Sequence, residues 1–108
     1  MAKQKKDIDK RAFGRVSSMV LVYLHYGGSI HFGTATDFSE NGMFIRARIM
    51  SAPINAVLEL AIPSRDSDLN LPIRVKRIVM KDNYYEGFGV ELVNMSKDYS
   101  RFVKGLKK

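Results

Sequence analysis

At 108 residues the chain has room for one small domain built on one hydrophobic core. It has no cysteine, which excludes a disulfide framework, a thiolate nucleophile and a cysteine-based metal site. The net charge is +7, yet the ends carry it: residues 1–15 hold six Lys/Arg against two Asp, 97–108 hold five against one, and the middle holds seven against eight acidic residues. A near-neutral body with basic ends fits a small anion gripped by a basic arm better than a duplex laid across a basic face. The charged first dozen residues lack the apolar core of a secretory signal, and no stretch nears the roughly 20 apolar residues of a membrane span. A cytoplasmic protein is the expectation.

Residues 1–15 show no hydrophobic periodicity and are expected to form a flexible N-terminal arm, with residues 16–108 as the folded body. Met19 to Tyr26 is a continuous run rich in Val, Leu and Tyr that predicts a strand, closed by a tight turn at Gly27-Gly28. Ser29 to Asp37 predicts the next strand. Asn41-Gly42 is a strong hairpin signal, with Gly42 expected to supply the positive φ of the turn. After it Met43, Ile45 and Ala47 alternate with Phe44, Arg46 and Arg48. Val57 to Ile62 predicts a strand ended by Pro63, and Pro63 to Asn70 a polar loop. Leu71, Ile73 and Val75 then alternate with Pro72, Arg74 and Lys76, and Arg77 falls on their apolar face, where a bulge, an early strand end or a ligand contact would account for it. Tyr84-Tyr85 reads as a turn, and Gly87 to Val93 as the last strand. Six strands in about 75 residues with short turns predict a closed or nearly closed antiparallel barrel. Met95, Tyr99, Phe102, Val103 and Leu106 then fall at helical spacing behind Ser96, a suitable N-cap.

Two constellations carry chemistry. Arg11 and Arg15 stand four apart in R-A-F-G-R, so both guanidiniums face one ligand whether the segment is extended or helical. A guanidinium donates two hydrogen bonds to guanine O6 and N7, stacks on the base, and attracts phosphate. Each good bidentate contact is worth about 1–3 kcal/mol of discrimination. Downstream, Asp37 and Ser39 in D-F-S-E-N-G offer a carboxylate for a guanine N1–H and N2–H edge and a hydroxyl beside it. Taken singly these are common turn and charge patterns. Five specified positions in order arise by chance in roughly one chain in a thousand of this length.

The joint pattern, R-x-x-x-R followed by D-x-S-x-x-G, resembles the signature of the PilZ domain, the bacterial receptor module for cyclic di-GMP. V-K-R-I-V, G-F-G-V-E-L and a C-terminal helix extend the resemblance from about Lys10 to the end. It implies a mainly β fold: a six-stranded antiparallel PilZ-type barrel with a C-terminal α-helix and a basic arm. It also implies that Arg11 and Arg15 contact guanine and phosphate, that Asp37 and Ser39 bond a base, and that Gly42 shapes the turn. Lys10 adds a cation beside the arm that meets a phosphate, helps hold a second ligand molecule, or does neither. The resemblance implies no cofactor beyond the ligand. It also implies a downstream protein partner in motility, adhesion or a related surface process. No phosphate loop, metal cluster or nucleophile arrangement supports an enzyme, and His25 and His31 read as strand residues. Two alternatives stay open: a protein-interaction adaptor of this type without ligand, and a small basic barrel that binds RNA or single-stranded DNA.

Overall fold

A computed structural model describes residues 16–47 and 52–106. Six strands are followed by one helix: β1 (Val20–Tyr26), β2 (Ser29–Thr36), β3 (Gly42–Arg46), β4 (Val57–Ile62), β5 (Leu69–Lys81), β6 (Tyr84–Leu92) and α1 (Lys97–Leu106). They close an antiparallel barrel in the order β1-β2-β3-β6-β5-β4. Tyr23, Leu24 and His25 pair with Ala61, Leu60 and Glu59 to seal β1 to β4. Alternation dictates which side chains face in. Val22, Leu24, Ala35, Met43, Ile45, Leu58, Leu60, Leu71, Ile73, Val75, Phe88 and Val90 are all buried in one core. The outer wall has its own character on β1 and β2, where Leu21, Ile30 and Phe32 stand exposed and the Phe32 ring lies 5.2 Å from that of Tyr23.

The turns divide into those that local chemistry sets and those that it does not. Gly27 and Gly28 both adopt positive φ (62° and 78°), the geometry of a two-residue hairpin. The β5–β6 hairpin turns instead at Asp82-Asn83, both at positive φ (51° and 70°), so Tyr84 and Tyr85 belong to a strand and not to a turn. Asp and Asn tolerate this conformation because their short polar side chains bond locally. β5 is correspondingly longer than the alternation of its first half suggests, and β6 starts three residues before Gly87.

The expectation for Asn41-Gly42 is overturned. The link from β2 to β3 runs over residues 37–41, and the left-handed residue in it is Asp37 (φ 49°), not Gly42. Gly42 is needed for a different reason: a Cβ there would collide with the carbonyl oxygen of Val90 on the neighbouring strand. The signature glycine is therefore a matter of strand-to-strand approach, not of turn conformation.

Helix α1 begins as its sequence predicts. The Tyr99 N–H donates to Ser96 Oγ at 3.1 Å, an N-cap bond, with Asp98 in the first turn and Lys104 in the last. Tyr99 and Val103 are fully buried, while Phe102 and Leu106 pack against the core from its edge. Met95 precedes the cap and is 73% exposed, so it leaves the helical stripe. The Tyr99 hydroxyl lies 2.8 Å from the Ser39 carbonyl oxygen and 2.6 Å from that of Gly42. Burial disfavours the phenolate and holds this phenol well above the usual tyrosine value.

Three outcomes are expected. Gly42→Ala should lower unfolding free energy by about 1–3 kcal/mol in urea titrations, whereas Gly105→Ala, on the helix with open space around it, should raise it by about 0.5–1 kcal/mol. The folded chain keeps the Tyr99 proton where the unfolded chain has released it. Stability should therefore fall as pH rises past the ordinary tyrosine value of 10, and urea midpoints between about pH 9 and 11 should fall less steeply in Tyr99→Phe.

Candidate functional site

The residues of the second motif come together where β2 gives way to the loop. The left-handed turn at Asp37 redirects the chain and leaves its carboxylate half-buried. Thr36 Oγ1 donates to it at 3.4 Å, and no salt bridge neutralises it among the described residues. Phe38 turns inward, fully buried, and meets Phe102 of α1 edge to face at 5.7 Å between ring centroids. The Ser39 N–H and Oγ–H both donate to the Gly42 carbonyl, at 2.9 and 3.3 Å. With its proton so directed, the Ser39 hydroxyl has lone pairs to offer to a donor outside. The loop is tied down again where the Leu92 N–H donates to the Asn41 carbonyl at 2.7 Å.

Beside this loop the outer wall of β3, β6 and β5 forms a shallow depression of about 350 Å³ lined by Asp37, Ser39, Phe44, Arg46, Lys76, Arg77 and Gly89. Register accounts for its shape. Met43 and Ile45 face the core, so Phe44 and Arg46 face out, and Phe44 stands opposite Gly89. A bulge in β5 between Val75 and Arg77 inserts Lys76 as an extra residue and places Arg77 opposite Gly89 as well. The bulge thus explains the position of Arg77, which strict alternation would have turned inward. Gly89 makes room for it, because a Cβ there would lie 2.9 Å from Arg77 Nε.

The electrostatics favour an anion. Arg46 reaches Glu86 at 3.2 Å and lies over the Phe44 ring at 6.0 Å, and Lys76 reaches Glu91 at 3.8 Å. These pairs are half-exposed, and pairs of that kind are worth about 0–1 kcal/mol, so they give way readily to a better acceptor. Arg77 makes no salt bridge among the described residues. Three cations and one carboxylate around a depression open to solvent suit a ligand that carries both negative charge and N–H donors. The described residues hold no cluster of His, Cys, Asp or Glu suited to a metal, and no helix among them is long and apolar enough to cross a membrane.

Of the sequence-predicted site residues, Asp37, Ser39 and Gly42 are neighbours here, Gly42 through its carbonyl and its close approach to β6. Lys10, Arg11 and Arg15 lie outside the described residues. One observation bears on them: Val16 pairs with Phe38 through two backbone hydrogen bonds of 2.7 and 2.9 Å. Phe38 sits between Asp37 and Ser39, so the chain that carries the two arginines joins the body beside the second motif. Sequence reasoning missed Arg46 and Lys76 as members of the site. Alternation marks Arg46 as outward-facing, but only the strand order shows that β5 and β3 flank β6 and share one wall.

A search of curated proteins finds no match to the chain. The family model of the PilZ domain matches residues 9–106, nearly the whole chain and both motifs. That match agrees with the six-stranded barrel and its C-terminal helix, and the chain belongs to the PilZ domain family, a family of cyclic di-GMP receptors.

Proposed function

We propose that this protein is a cyclic di-GMP receptor and not an enzyme, with residues 1–15 as a ligand-gripping arm and residues 16–108 as the barrel and helix. The Val16–Phe38 pairing is the observation that carries the reading. Arg15 is one peptide bond from Val16, with consecutive α-carbons about 3.8 Å apart, and Arg11 is within reach of at most about 18 Å. In this reading both guanidiniums reach a ligand held at Asp37 and Ser39.

In this reading the ligand lies on the outer wall of β3, β6 and β5. Asp37 accepts from the N1–H and N2–H edge of a guanine, and Ser39 accepts beside it. Arg11 and Arg15 bind the guanine O6/N7 edge and a phosphate. Arg77, Arg46 and Lys76 answer the remaining negative charge, with Arg77 able to lay its plane against a base. Binding closes the arm across the ligand and changes the surface offered to a downstream protein. The adaptor and nucleic-acid readings lack the convergence of donors and acceptors that this depression provides.

Calorimetric titration with cyclic di-GMP tests the proposal. Saturable binding is expected, with a shallow salt dependence unlike that of a long oligonucleotide. Each of Arg11→Ala and Arg15→Ala should weaken it by about 5- to 150-fold, corresponding to about 1–3 kcal/mol per contact, and the double variant should abolish it. Asp37→Asn keeps a residue that tolerates positive φ, so it should cost about tenfold or more in affinity with an unchanged melting temperature. Arg77→Ala should weaken binding while leaving the barrel folded. Absence of heat with folded wild-type protein would overturn the reading.

A further inference from the structure

Helix α1 touches the β2–β3 loop at two places. The Phe102 ring packs on Phe38, the residue whose backbone pairs with Val16. One turn earlier, the Tyr99 hydroxyl reaches the carbonyl oxygens of both Ser39 and Gly42, across 60 and 57 residues of chain. A phenol has one proton to donate, and here it serves two carbonyls in a setting where Tyr99 is fully buried. In such a site an unpaired carbonyl is costly, and a satisfied one is held firmly in place. The Gly42 carbonyl also accepts the Ser39 Oγ–H. The direction of the Ser39 hydroxyl therefore depends on a carbonyl that the helix holds.

We infer that Tyr99 is a positioning residue for the ligand loop, and that its hydroxyl couples helix α1 to the occupancy of the depression beside Ser39. This rests on the cyclic di-GMP reading for the identity of the ligand, but the tie between helix and loop does not. A ligand that draws on the Ser39 hydroxyl shifts the Gly42 carbonyl, and the Tyr99 hydroxyl, shared between that carbonyl and the carbonyl of Ser39, shifts with it. The helix is then the element that registers binding, while the residues that touch the ligand lie on the loop and the barrel wall. Its outward side chains, Lys97, Arg101 and Lys104, are exposed and carry that change to the surface.

Hydrogen exchange measured residue by residue on the full chain decides the matter, with Tyr99→Phe compared against Val103→Ala. Val103 is equally buried on the same helix but is not bonded to the loop carbonyls. Without ligand, the Ser39 amide, which donates to the Gly42 carbonyl, should exchange about tenfold faster in Tyr99→Phe than in Val103→Ala after correction for global stability. Equal rates would overturn the tie. With cyclic di-GMP, wild type should gain protection in residues 97–106, and Tyr99→Phe should lose that gain while binding about 5- to 10-fold more weakly. Protection confined to the loop in wild type, or an unchanged helix response in Tyr99→Phe, would overturn the coupling. Failure of folded wild type to bind at all would strike the cyclic di-GMP reading instead, and the ligand-free comparison would still decide the role of Tyr99.

Discussion

The reciprocal pair of backbone hydrogen bonds between Val16 and Phe38 is the constraint on which the rest of the site depends. It fixes where the N-terminal segment meets the body, at the residue between the carboxylate and the hydroxyl of the second motif. A shift of either group would then disturb that pairing. Phe38 holds the pairing in place because its side chain is fully buried and packs against Phe102. A ring with no exposure cannot shift without opening a cavity, and cavities are costly in cores packed to native density. A short main-chain contact thus acquires the stiffness of the core beneath it.

The wall beside the loop was built from departures from regularity. Strict alternation would turn Arg77 inward, and a side chain at Gly89 would crowd it. One bulge and one absent Cβ together place a guanidinium on the outer face next to Lys76. Bulges re-aim side chains in this way at the cost of one ladder position. The same economy holds at Gly42, where the absent Cβ lets β3 approach the Val90 carbonyl and keeps the loop carbonyl within reach of Tyr99.

Much of this architecture was legible in the sequence. Leu71, Ile73 and Val75 announce their core face through period-two alternation, Gly27-Gly28 announces its turn, and Ser96 announces the start of the helix, each because the signal lies within a few residues of its effect. The PilZ signature brought Asp37, Ser39 and Gly42 to notice together. What escaped depended on contacts far along the chain. Asn41-Gly42 looks like a hairpin turn until the neighbouring strand shows why the glycine is there. Asp82-Asn83 turns the last hairpin with no glycine to mark it. Tyr99 reads as plain packing because its acceptors are carbonyls, which every residue has, and no side-chain pattern records which of them a phenol will meet.

Closure of the barrel limits how anything can recognise this protein. Where the ladder is continuous around the ring, each strand has its hydrogen-bonding groups taken on both sides, so an extended peptide cannot join it as an added strand. A partner that approaches such a stretch must read side chains, not backbone. Those side chains differ from one part of the wall to another, with Leu21, Ile30 and Phe32 presenting hydrocarbon on β1 and β2 and Lys76 and Arg77 presenting charge on β5. The barrel is in that sense a single rigid spool with separately addressed faces, and substitutions on one face can change what is recognised there without rewriting the other.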